Sequence, residues 1–280
     1  MNYRHAYHAG NFADVLKHVV LVAVLDHLGR KSAPYCYLDT HAGRGDYPLG
    51  AAETQRAGEF REGIAKLLDA PGAPPLAARY LALVRELGVE QGTLVCYPGS
   101  PRLALAVARP TDRAVLCELE AREADALRAL MRREPRAAVH ERDGYEALPA
   151  LVPPREKRGL VLIDPPYEEP DEFEVLERTL LAAIARWPGG IYAAWYPIKH
   201  GDAAGRFLAR MAASGVRRQL AVELTVERDD TPGGLNGTGM LLVNPPYQLD
   251  TELAETLAWL QPKLAREGRG RSRVSWQVRE

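Results

Sequence analysis

Cysteine is scarce in this sequence, and long apolar runs are missing. The three cysteines, Cys36, Cys96 and Cys117, are odd in number and never form a CxxC pair, which excludes a disulfide framework and a cysteine-rich zinc site. No apolar run approaches the ~18 residues that cross a membrane. Residues 1–5 are polar and lack the apolar stretch of a signal peptide. We therefore expect reduced core thiols in a cytoplasmic protein without a membrane partner.

An excess of charge of one sign is also missing. The 280 residues carry 36 Lys and Arg against 37 Asp and Glu, a formal net charge of −1, so bulk charge does not indicate a nucleic-acid-binding protein. The distribution is uneven, because residues 263–280 hold six Lys or Arg and only two Glu. This local charge is compatible with a basic binding surface or with an ordinary solvated end.

Short apolar runs rich in β-branched or aromatic residues recur along the chain. They are Tyr35–Asp39, Ala114–Glu118, Ala137–Glu141, Gly159–Asp164 and Gly190–Tyr196. Helical patterns such as Ala121–Arg133 and Asp171–Trp187 separate the later runs, and this alternation predicts an α/β fold with a doubly wound, mostly parallel sheet. Two further runs, Arg218–Glu227 and Gly239–Asn244, predict an antiparallel hairpin at the edge of the sheet.

The first two predicted strands are unusually far apart. Asp39 closes the first strand 79 residues before Glu118 closes the second, whereas a β-α-β unit takes roughly 30 residues or somewhat more. The intervening Glu53–Leu87 is rich in Ala, Leu, Glu and Arg. We predict a single domain over residues 1–280 with an inserted helical subdomain at about residues 50–95, serving either in substrate contact or as a structural appendage.

Ligand-binding residue types follow the predicted strands, at the edge where open α/β sheets bind ligands. Asp39-Thr40-His41-Ala42-Gly43-Arg44-Gly45 follows the first strand, and its glycines permit close backbone approach although their spacing is not GxGxxG. Glu118 ends the second strand and can accept hydrogen bonds from both hydroxyls of a ribose. Asp143 and Gly144 follow the third strand, where Asp143 can bind an adenine amino group or simply form a turn. Their order, one signal per successive strand end, predicts a nucleoside-binding edge.

Ser100 and Pro101 precede the helical run Arg102–Arg109. Serine is a preferred N-cap residue, and proline is favoured at the first helical position. The free amides of a helix N-terminus can bind an anion such as the carboxylate of a methionine moiety. A serine that only caps its helix explains the same residues.

Asp164-Pro165-Pro166-Tyr167, directly after the apolar residues 160–163, is the strongest signal in the sequence. The N6 lone pair of adenine is delocalised into the ring, so this amino group is a poor nucleophile. A carboxylate and a backbone carbonyl that accept its two hydrogens shift electron density onto the nitrogen. Asp164 and the carbonyl of Pro165 or Pro166 can be these two acceptors, because two prolines fix φ near −65° and hold the carbonyl rigidly.

The last residue of the motif has a separate role. Tyr167 can stack on a flipped or unpaired base. The motif predicts methylation of an amino group conjugated to a π-system.

A second segment, Asn244-Pro245-Pro246-Tyr247, has the same shape with an amide in place of the carboxylate. It follows the last predicted strand, whereas Asp164 comes fourth, after the three ligand-type strand ends. We therefore predict that Asp164 acts in the site and that Asn244 forms a turn where a strand ends. The competing interpretation of Asp164 is a proline-rich turn after a buried strand.

Residues 3–18 combine histidine, aromatic and basic side chains before and within a predicted helix. Such a segment suits contacts with phosphates and bases. The competing interpretation is a polar arm in which Asn11 caps the helix. The histidine spacing is not that of a zinc site, and we expect no metal, because methyl transfer needs none.

Taken together, these segments resemble the ribosomal large subunit methyltransferase J family, which methylates adenine N6 in 23S rRNA. The resemblance covers essentially the whole chain. It is carried by Tyr3-Arg4-His5, His8-Ala9-Gly10-Asn11, Ala13-Asp14-Val15-Leu16-Lys17-His18, Leu38-Asp39-Thr40-His41-Ala42-Gly43, Tyr97-Pro98-Gly99-Ser100-Pro101, Leu162-Ile163-Asp164-Pro165-Pro166-Tyr167-Glu168 and Trp195-Tyr196-Pro197. The proline motif alone also admits DNA adenine, DNA cytosine-N4 and protein-glutamine methyltransferases. Arg44 departs from the small residue expected at its position.

The resemblance implies a Rossmann-like class I methyltransferase fold, S-adenosylmethionine as cofactor and 23S rRNA as partner, and we expect a monomer. The cofactor contacts that it implies are His18, His41, Ser100, Glu118, Asp143, Gly144 and Asp164. It also implies that Asp164 is the proton acceptor, that Tyr3 meets the RNA, and that His5 and Lys17 lie near the active site. Because a neutral N6 amine is hardly acidic, we expect Asp164 to orient and polarise the amine more than to act as a base.

Three alternatives stay open from the residues alone. A DNA adenine-N6 methyltransferase would use the same chemistry, since N6 is the same atom in both nucleic acids. A nicotinamide-dependent oxidoreductase could use a similar sheet, although the missing GxGxxG disfavours it. A catalytically silent RNA-binding module is disfavoured by the retention of Asp164.

Overall fold

A computed structural model describes residues 5–228 and 231–280 of the chain. The strands are β1 (Cys36–Asp39), β2 (Asp46–Pro48), β3 (Val89–Glu90), β4 (Thr93–Leu94), β5 (Cys96–Pro98), β6 (Arg113–Glu118), β7 (Ala137–Glu141), β8 (Gly159–Ile163), β9 (Ile191–Ile198), β10 (Gln219–Thr225), β11 (Gly237–Val243) and β12 (Ser272–Val278). The helices are α1 (Phe12–Gly29), α2 (Ala52–Ala57), α3 (Glu59–Glu62), α4 (Ala65–Leu68), α5 (Pro75–Gly88), α6 (Ser100–Val107), α7 (Ala121–Met131), α8 (Gly144–Leu151), α9 (Glu172–Arg186), α10 (Ala203–Ala213) and α11 (Leu249–Leu264), preceded by one 3-10 turn (His5–Tyr7).

Eight strands form one sheet in the order β12-β10-β11-β9-β8-β1-β6-β7. The five strands from β9 to β7 are parallel, whereas β11, β10 and β12 join antiparallel. The chain runs from β1 outward through β6 and β7 and then returns to β8 on the other side of β1. The topological switch point, where such sheets bind ligands, therefore lies between β1 and β8. The predicted α/β class with a mostly parallel sheet is confirmed.

Helices cover both faces of this sheet. One core lies between the sheet and a layer that includes α1, α5, α6 and α11, and it contains side chains such as Leu16 and Leu253. The other lies against α8, α9 and α10 and contains Leu176 and Phe207. Because β8 is buried at every position, its sequence is a continuous apolar run and does not alternate with polar residues.

Helix α1 is buried for most of its length. Fifteen of its 18 residues are buried, which explains why its sequence is apolar on all sides. Asn11 is the N-cap residue, and its side chain accepts hydrogen bonds from the amides of Ala13 and Asp14 at 2.9 and 3.0 Å. The predicted cap is confirmed. The first turns of α1 then bring Lys17 and His18 to the ligand-binding edge of the sheet.

The edge of the sheet differs from the prediction. β10 and β11 form the predicted antiparallel pair, but β12, from the basic C-terminal segment, pairs with β10 and is the true edge strand. Its apolar residues Val274, Trp276 and Val278 alternate with polar ones, the period of a strand with one buried face. Residues 272–278 of this segment therefore form part of the sheet, with Ser272 and Arg273 exposed and the other five residues half-buried.

Between β1 and α6 the chain forms β2, the helices α2 to α5 and the short strands β3 to β5. β2 pairs with β5, so this segment leaves and rejoins the main body through one small antiparallel ribbon. α5 packs against α1 and α11. The boundaries of an inserted subdomain at about residues 50–95 stay a prediction. Within the two described ranges, no helix combines the length and the apolar character needed to cross a membrane.

Candidate active site at the switch point

A cavity of about 650 Å³ opens at the carboxyl ends of β1, β6 and β8. This volume is within the range of small-molecule and cofactor sites. Ten of the residues predicted from the sequence line it: His5, Lys17, His18, His41, Ser100, Glu118, Asp143, Gly144, Asp164 and Pro166. The fold therefore brings together residues that are up to 161 positions apart in the chain, from His5 to Pro166.

Glu118 is fixed at the end of β6 by the backbone. Its two carboxylate oxygens accept hydrogen bonds from the amides of Gly43 and Glu120, each at 2.8 Å. The side chain is buried, and burial raises the pKa of this carboxyl. Each oxygen keeps a further lone pair, so the carboxylate can accept two hydroxyl donors from the cavity.

Arg44, the departure from the expected loop sequence, forms a two-point ion pair with Glu123 on α7. The distances are 2.8 Å from Nε to Oε2 and 2.5 Å from Nη2 to Oε1. Next to it, the amide of Ala42 donates to the carbonyl of Cys117 at 2.9 Å. The loop after β1 is thus held to β6 and α7 at several successive residues, and Glu118 lies beneath it.

Asp143 and Gly144 begin α8 beside the same loop. Asp143 is the N-cap residue, and its Oδ1 accepts the amides of Tyr145 and Glu146, which leaves Oδ2 for a ligand in the cavity. A Cβ atom on Gly144 would lie 2.0 Å from the carbonyl oxygen of Thr40. Only glycine permits this approach of α8 to the first strand loop.

Ser100 is not the N-cap residue that the sequence suggested. Gly99 occupies that position, and Ser100 is the first residue of α6. The Ser100 hydroxyl donates to Asp39 Oδ2 at 2.6 Å, as does the Tyr37 hydroxyl. Asp39 is fully buried, and burial raises its pKa to about 6. Asp39, which the sequence places at the end of the first strand, is not among the residues that line the cavity; it holds the hydroxyl of Ser100 from behind the cavity wall.

Two histidines on the cavity wall are neutral at neutral pH. His18 Nδ1 lies 2.7 Å from the Tyr97 hydroxyl, and burial lowers the pKa of His18 to about 3. His41 Nδ1 lies 2.7 Å from the Thr40 hydroxyl, and burial lowers the pKa of His41 to about 4. Neutral imidazoles offer hydrogen bonds without placing positive charge beside a ligand.

We expect His18 to make the protein less stable in acid. The unfolded chain binds a proton at this imidazole below pH 6.5, whereas the folded protein excludes it down to about pH 3. The stability that depends on neutral His18 is therefore complete above pH 6.5 and is lost as the pH falls through this window, by at most ~1.4 kcal/mol per pH unit. Urea titrations at about pH 7, 6 and 5 should show a shallower slope for His18→Gln than for the wild type.

The matched control for this pH series is His140→Gln, at an exposed position on β7. It should leave the slope of the unfolding free energy against pH unchanged. Equal slopes in His18→Gln and the wild type would contradict the assignment of His18 as a proton-excluding group.

Asp164 and Lys17 meet at the wall of the cavity, on the side of the switch point formed by β8. The Lys17 ammonium pairs with Asp164 Oδ2 and, at 2.8 Å, with Asp14 Oδ1. Lys17 and Asp14 are 6% and 2% exposed, and Asp164 is 16% exposed, so only the last carboxylate faces open space. The arrangement presents a carboxylate, held by a buried cation, to whatever occupies the cavity.

A family model described as "Ribosomal RNA large subunit methyltransferase D, RlmJ" matches residues 32–278. The Escherichia coli K12 protein named Ribosomal RNA large subunit methyltransferase J is 39% identical over 280 residues, all of both chains. The chain belongs to this family. The Haemophilus influenzae protein of the same name is 38% identical over 276 residues, covering 99% of this chain and 98% of its own. A crystal structure of a Legionella pneumophila protein has a TM-score of 0.88 and 34% identity, covering 96% of this chain and 98% of its own.

Membership in the methyltransferase J family confirms the resemblance predicted from the sequence motifs. Of the residues that this resemblance places at the RNA or near the active site, His5 and Lys17 line the cavity. Tyr3 lies outside the described residues. The described residues contain no group of three or more His, Cys, Asp or Glu arranged to hold a metal ion.

Tyr167 of the proline motif belongs to an aromatic cluster beside the cavity. Its ring packs against Phe173 and Trp195, with centroids 4.8 and 5.4 Å apart, and its hydroxyl donates to the Trp195 carbonyl at 2.8 Å. Pro166 is among the residues that line the cavity, and Tyr167 is not. The stacking of Tyr167 on a base stays a prediction.

Asn244, of the second proline segment, lies at the end of the sheet opposite to the carboxyl ends of the parallel strands. β11 runs antiparallel to β9, so its carboxyl end meets the start of β9. There the Asn244 amide donates to the carbonyls of Pro188 and Gly190, both at 2.8 Å. Its role as a turn at the end of a strand is confirmed, and the choice of Asp164 as the site residue stays a prediction.

Proposed function

We propose that this protein transfers a methyl group from S-adenosylmethionine to the N6 of an adenine in 23S rRNA. The observation that carries the proposal is the Asp164 carboxylate on the cavity wall at the switch point, followed by the rigid Pro165-Pro166 pair. A carboxylate in this place accepts one N6 hydrogen, and a proline carbonyl accepts the other. Family membership supports the reaction class, since the two named relatives are ribosomal RNA methyltransferases.

The residues of the cavity fit the cofactor. Glu118, held by two amides, would accept the ribose hydroxyls, and Asp143, whose Oδ1 accepts an amide of α8, would accept an adenine amino group at Oδ2. The close approach enforced at Gly144 gives the floor of a nucleoside site, and the 650 Å³ volume suits a nucleoside with a methionine moiety. When bound, the cofactor supplies an electrophilic methyl group on a sulfonium.

The chain's own residues supply position and electrostatics for this transfer. Asp164 orients and polarises the target N6, and Lys17 fixes Asp164 from the buried side. Pro166 forms the wall beside the target base, and Tyr167 braces the motif from behind through its bond to Trp195. The N6 proton leaves late, since a neutral amine is hardly acidic; once the methylated nitrogen is cationic, Asp164 would accept that proton.

We further propose a monomeric cytoplasmic enzyme in which the arm with Tyr3 and His5 contacts the RNA. The predicted insertion at about residues 50–95 is a structural appendage that supports the turn before α1, where Glu59 contacts His8 and Asn11. A DNA adenine methyltransferase would carry out the same reaction on another nucleic acid, but the names of both relatives favour RNA as the substrate. A nicotinamide-dependent oxidoreductase is disfavoured by the same family membership.

The test is to incubate the purified protein with labelled S-adenosylmethionine and either deproteinised 23S rRNA or duplex DNA. We expect label in the RNA only, and mass mapping of RNA fragments should show a single N6-methyladenine. Label in DNA at a comparable rate, or a modified base other than adenine, would overturn the proposal. Calorimetry with S-adenosylmethionine alone tests the cofactor separately.

A further inference from the structure

Asp14 is a buried carboxylate in the first turn of α1, next to the proposed reaction site. It is 2% exposed, and the sequence motifs assign it no role in the cavity. Its Oδ2 accepts the amide of Gly10 at 2.9 Å and lies 3.1 Å from His5 Nε2. Its Oδ1 lies 2.8 Å from Lys17 Nζ. One side chain therefore contacts the turn before α1, the arm histidine and the lysine that pairs with Asp164.

The contacts favour the charged form of Asp14. Burial acts to raise the pKa of Asp14, yet the nearby His5 and Lys17 hold it well below its usual range. Lys17 is thus one cation that pairs with two carboxylates, Asp14 and Asp164. The contact of Lys17 with Asp164 is the closer of the two, so Asp14 anchors the ammonium from the buried side without drawing it away from Asp164.

This anchor matters because Asp164 has to accept a hydrogen from a neutral amine in one orientation. A carboxylate held by a fixed, hydrogen-bonded ammonium keeps its free oxygen in place for that amine. We infer that Asp14 is a positioning residue for methyl transfer, which anchors Lys17 against Asp164 and fixes His5 over the cavity. This inference rests on the proposed function, since it assigns a task within that same reaction.

A purely structural role for Asp14 is the competing explanation. An acidic side chain in the first turn that accepts an amide before the helix stabilises the helix start. Glu59 gives a matched comparison, because it stabilises the same turn without contacting Lys17. It lies 3.0 Å from His8 Nδ1 and accepts the Asn11 side-chain amide at 2.9 Å.

The experiment compares Asp14→Asn with Glu59→Gln in the full chain, using 23S rRNA and S-adenosylmethionine. Asparagine keeps an acceptor oxygen for Gly10 but removes the charge that holds Lys17. We expect kcat to fall about tenfold to a hundredfold in Asp14→Asn. The dissociation constant for S-adenosylmethionine should stay within about threefold, because neither Glu118 nor Asp143 is touched. Glu59→Gln should lower the unfolding midpoint and leave kcat unchanged.

A double-mutant cycle with Lys17→Gln separates positioning from structure. If Asp14 acts through Lys17, Asp14→Asn should cause little further loss of kcat in the Lys17→Gln background. Additive losses, or a wild-type kcat in Asp14→Asn at a temperature where it is folded, would overturn the inference. Asp14→Glu serves as a second variant, and it should recover part of kcat because it restores the charge.

The same series distinguishes this inference from the proposed function. If Asp164→Asn abolishes methylation of RNA while Asp14→Asn has no effect, only the role of Asp14 is wrong. If the wild type does not methylate RNA at all, the proposed function itself fails.

Discussion

Replacing Asp164 with asparagine should lower methyl transfer to 23S rRNA by roughly 10² to 10⁴-fold, the usual cost of losing a positioned acceptor or electrostatic group. Asparagine keeps the shape but loses the charge that polarises N6, and its amide can present hydrogens to the amine. Affinity for S-adenosylmethionine should change only a few-fold, because Glu118 and Asp143 supply the fixed carboxylates of the nucleoside site. Single-turnover methylation and calorimetry measure the two effects separately.

The second proline segment offers a matched control. Asn244→Asp replaces an amide with a carboxylate, the reverse of Asp164→Asn, at the end of the sheet that lies away from the cavity. It removes the donors to the Pro188 and Gly190 carbonyls and so costs stability. Turnover per folded molecule should stay at the wild-type level. Near-normal turnover in Asp164→Asn, or a loss of turnover in Asn244→Asp alone, would contradict the assignment of Asp164.

The sequence is most informative where burial dictates residue type. The run Ala137–Glu141 has the same bounds as β7, and the apolar runs that form β1, β6, β8 and β9 match those strands within a few residues. Parallel strands covered on both faces must be apolar throughout, and their carboxyl ends must meet at one edge. Both constraints can be recognised in short stretches of sequence, so the strand pattern alone is enough to place Glu118, Asp143 and Asp164 together.

Sequence is less informative where one residue has two explanations of equal strength. The strand β12 is hidden because its five flanking arginines and lysines outweigh the alternation of Val274, Trp276 and Val278. Tyr167 offers a ring for stacking, but whether an aromatic side chain faces a cavity or a neighbouring cluster depends on its contacts with Phe173 and Trp195. Those contacts are set by the packing of α9 and β9, which the motif itself does not encode.

Asp14 and Asp39 show why the contacts of buried carboxylates behind a site escape sequence analysis. A carboxylate is normally exposed, and nothing local marks one that will be buried. Asp39 depends on Ser100, 61 positions away, and Asp14 depends on Lys17, whose second partner Asp164 is 147 positions from it. The interactions of these carboxylates with their distant partners exist only once the strands and helices have packed together, so only the fold shows them.

Replacing Lys17 with methionine should therefore be the most destabilising single change at the site. Methionine fills the buried space but leaves the Asp14 and Asp164 carboxylates near each other without the cation that they share. Removing one member of a buried ion pair typically costs about 3–5 kcal/mol. Urea unfolding at neutral pH should show a loss of this size, and methylation of RNA should fall more than affinity for S-adenosylmethionine.

The pH dependence gives this prediction a signature that a simple packing defect lacks. In the wild type the pKa of Asp14 is depressed, so its contribution to stability is present above its unfolded value of 3.8 and is lost as the pH falls through the folded pKa. In Lys17→Met the Asp14 carboxyl loses that attraction and takes up a proton more readily in the folded state. The stability difference between wild type and variant should therefore be largest near pH 7 and shrink toward pH 4.

The control is Lys66→Met, which removes an ion pair at the protein surface. Lys66 Nζ lies 2.5 Å from Glu62 Oε2, and the loss of this pair should change the free energy of unfolding by at most ~0.5 kcal/mol at either pH. A Lys17→Met penalty that is independent of pH would mean that Lys17 contributes by packing alone, and the shared-cation description of the site would then be wrong.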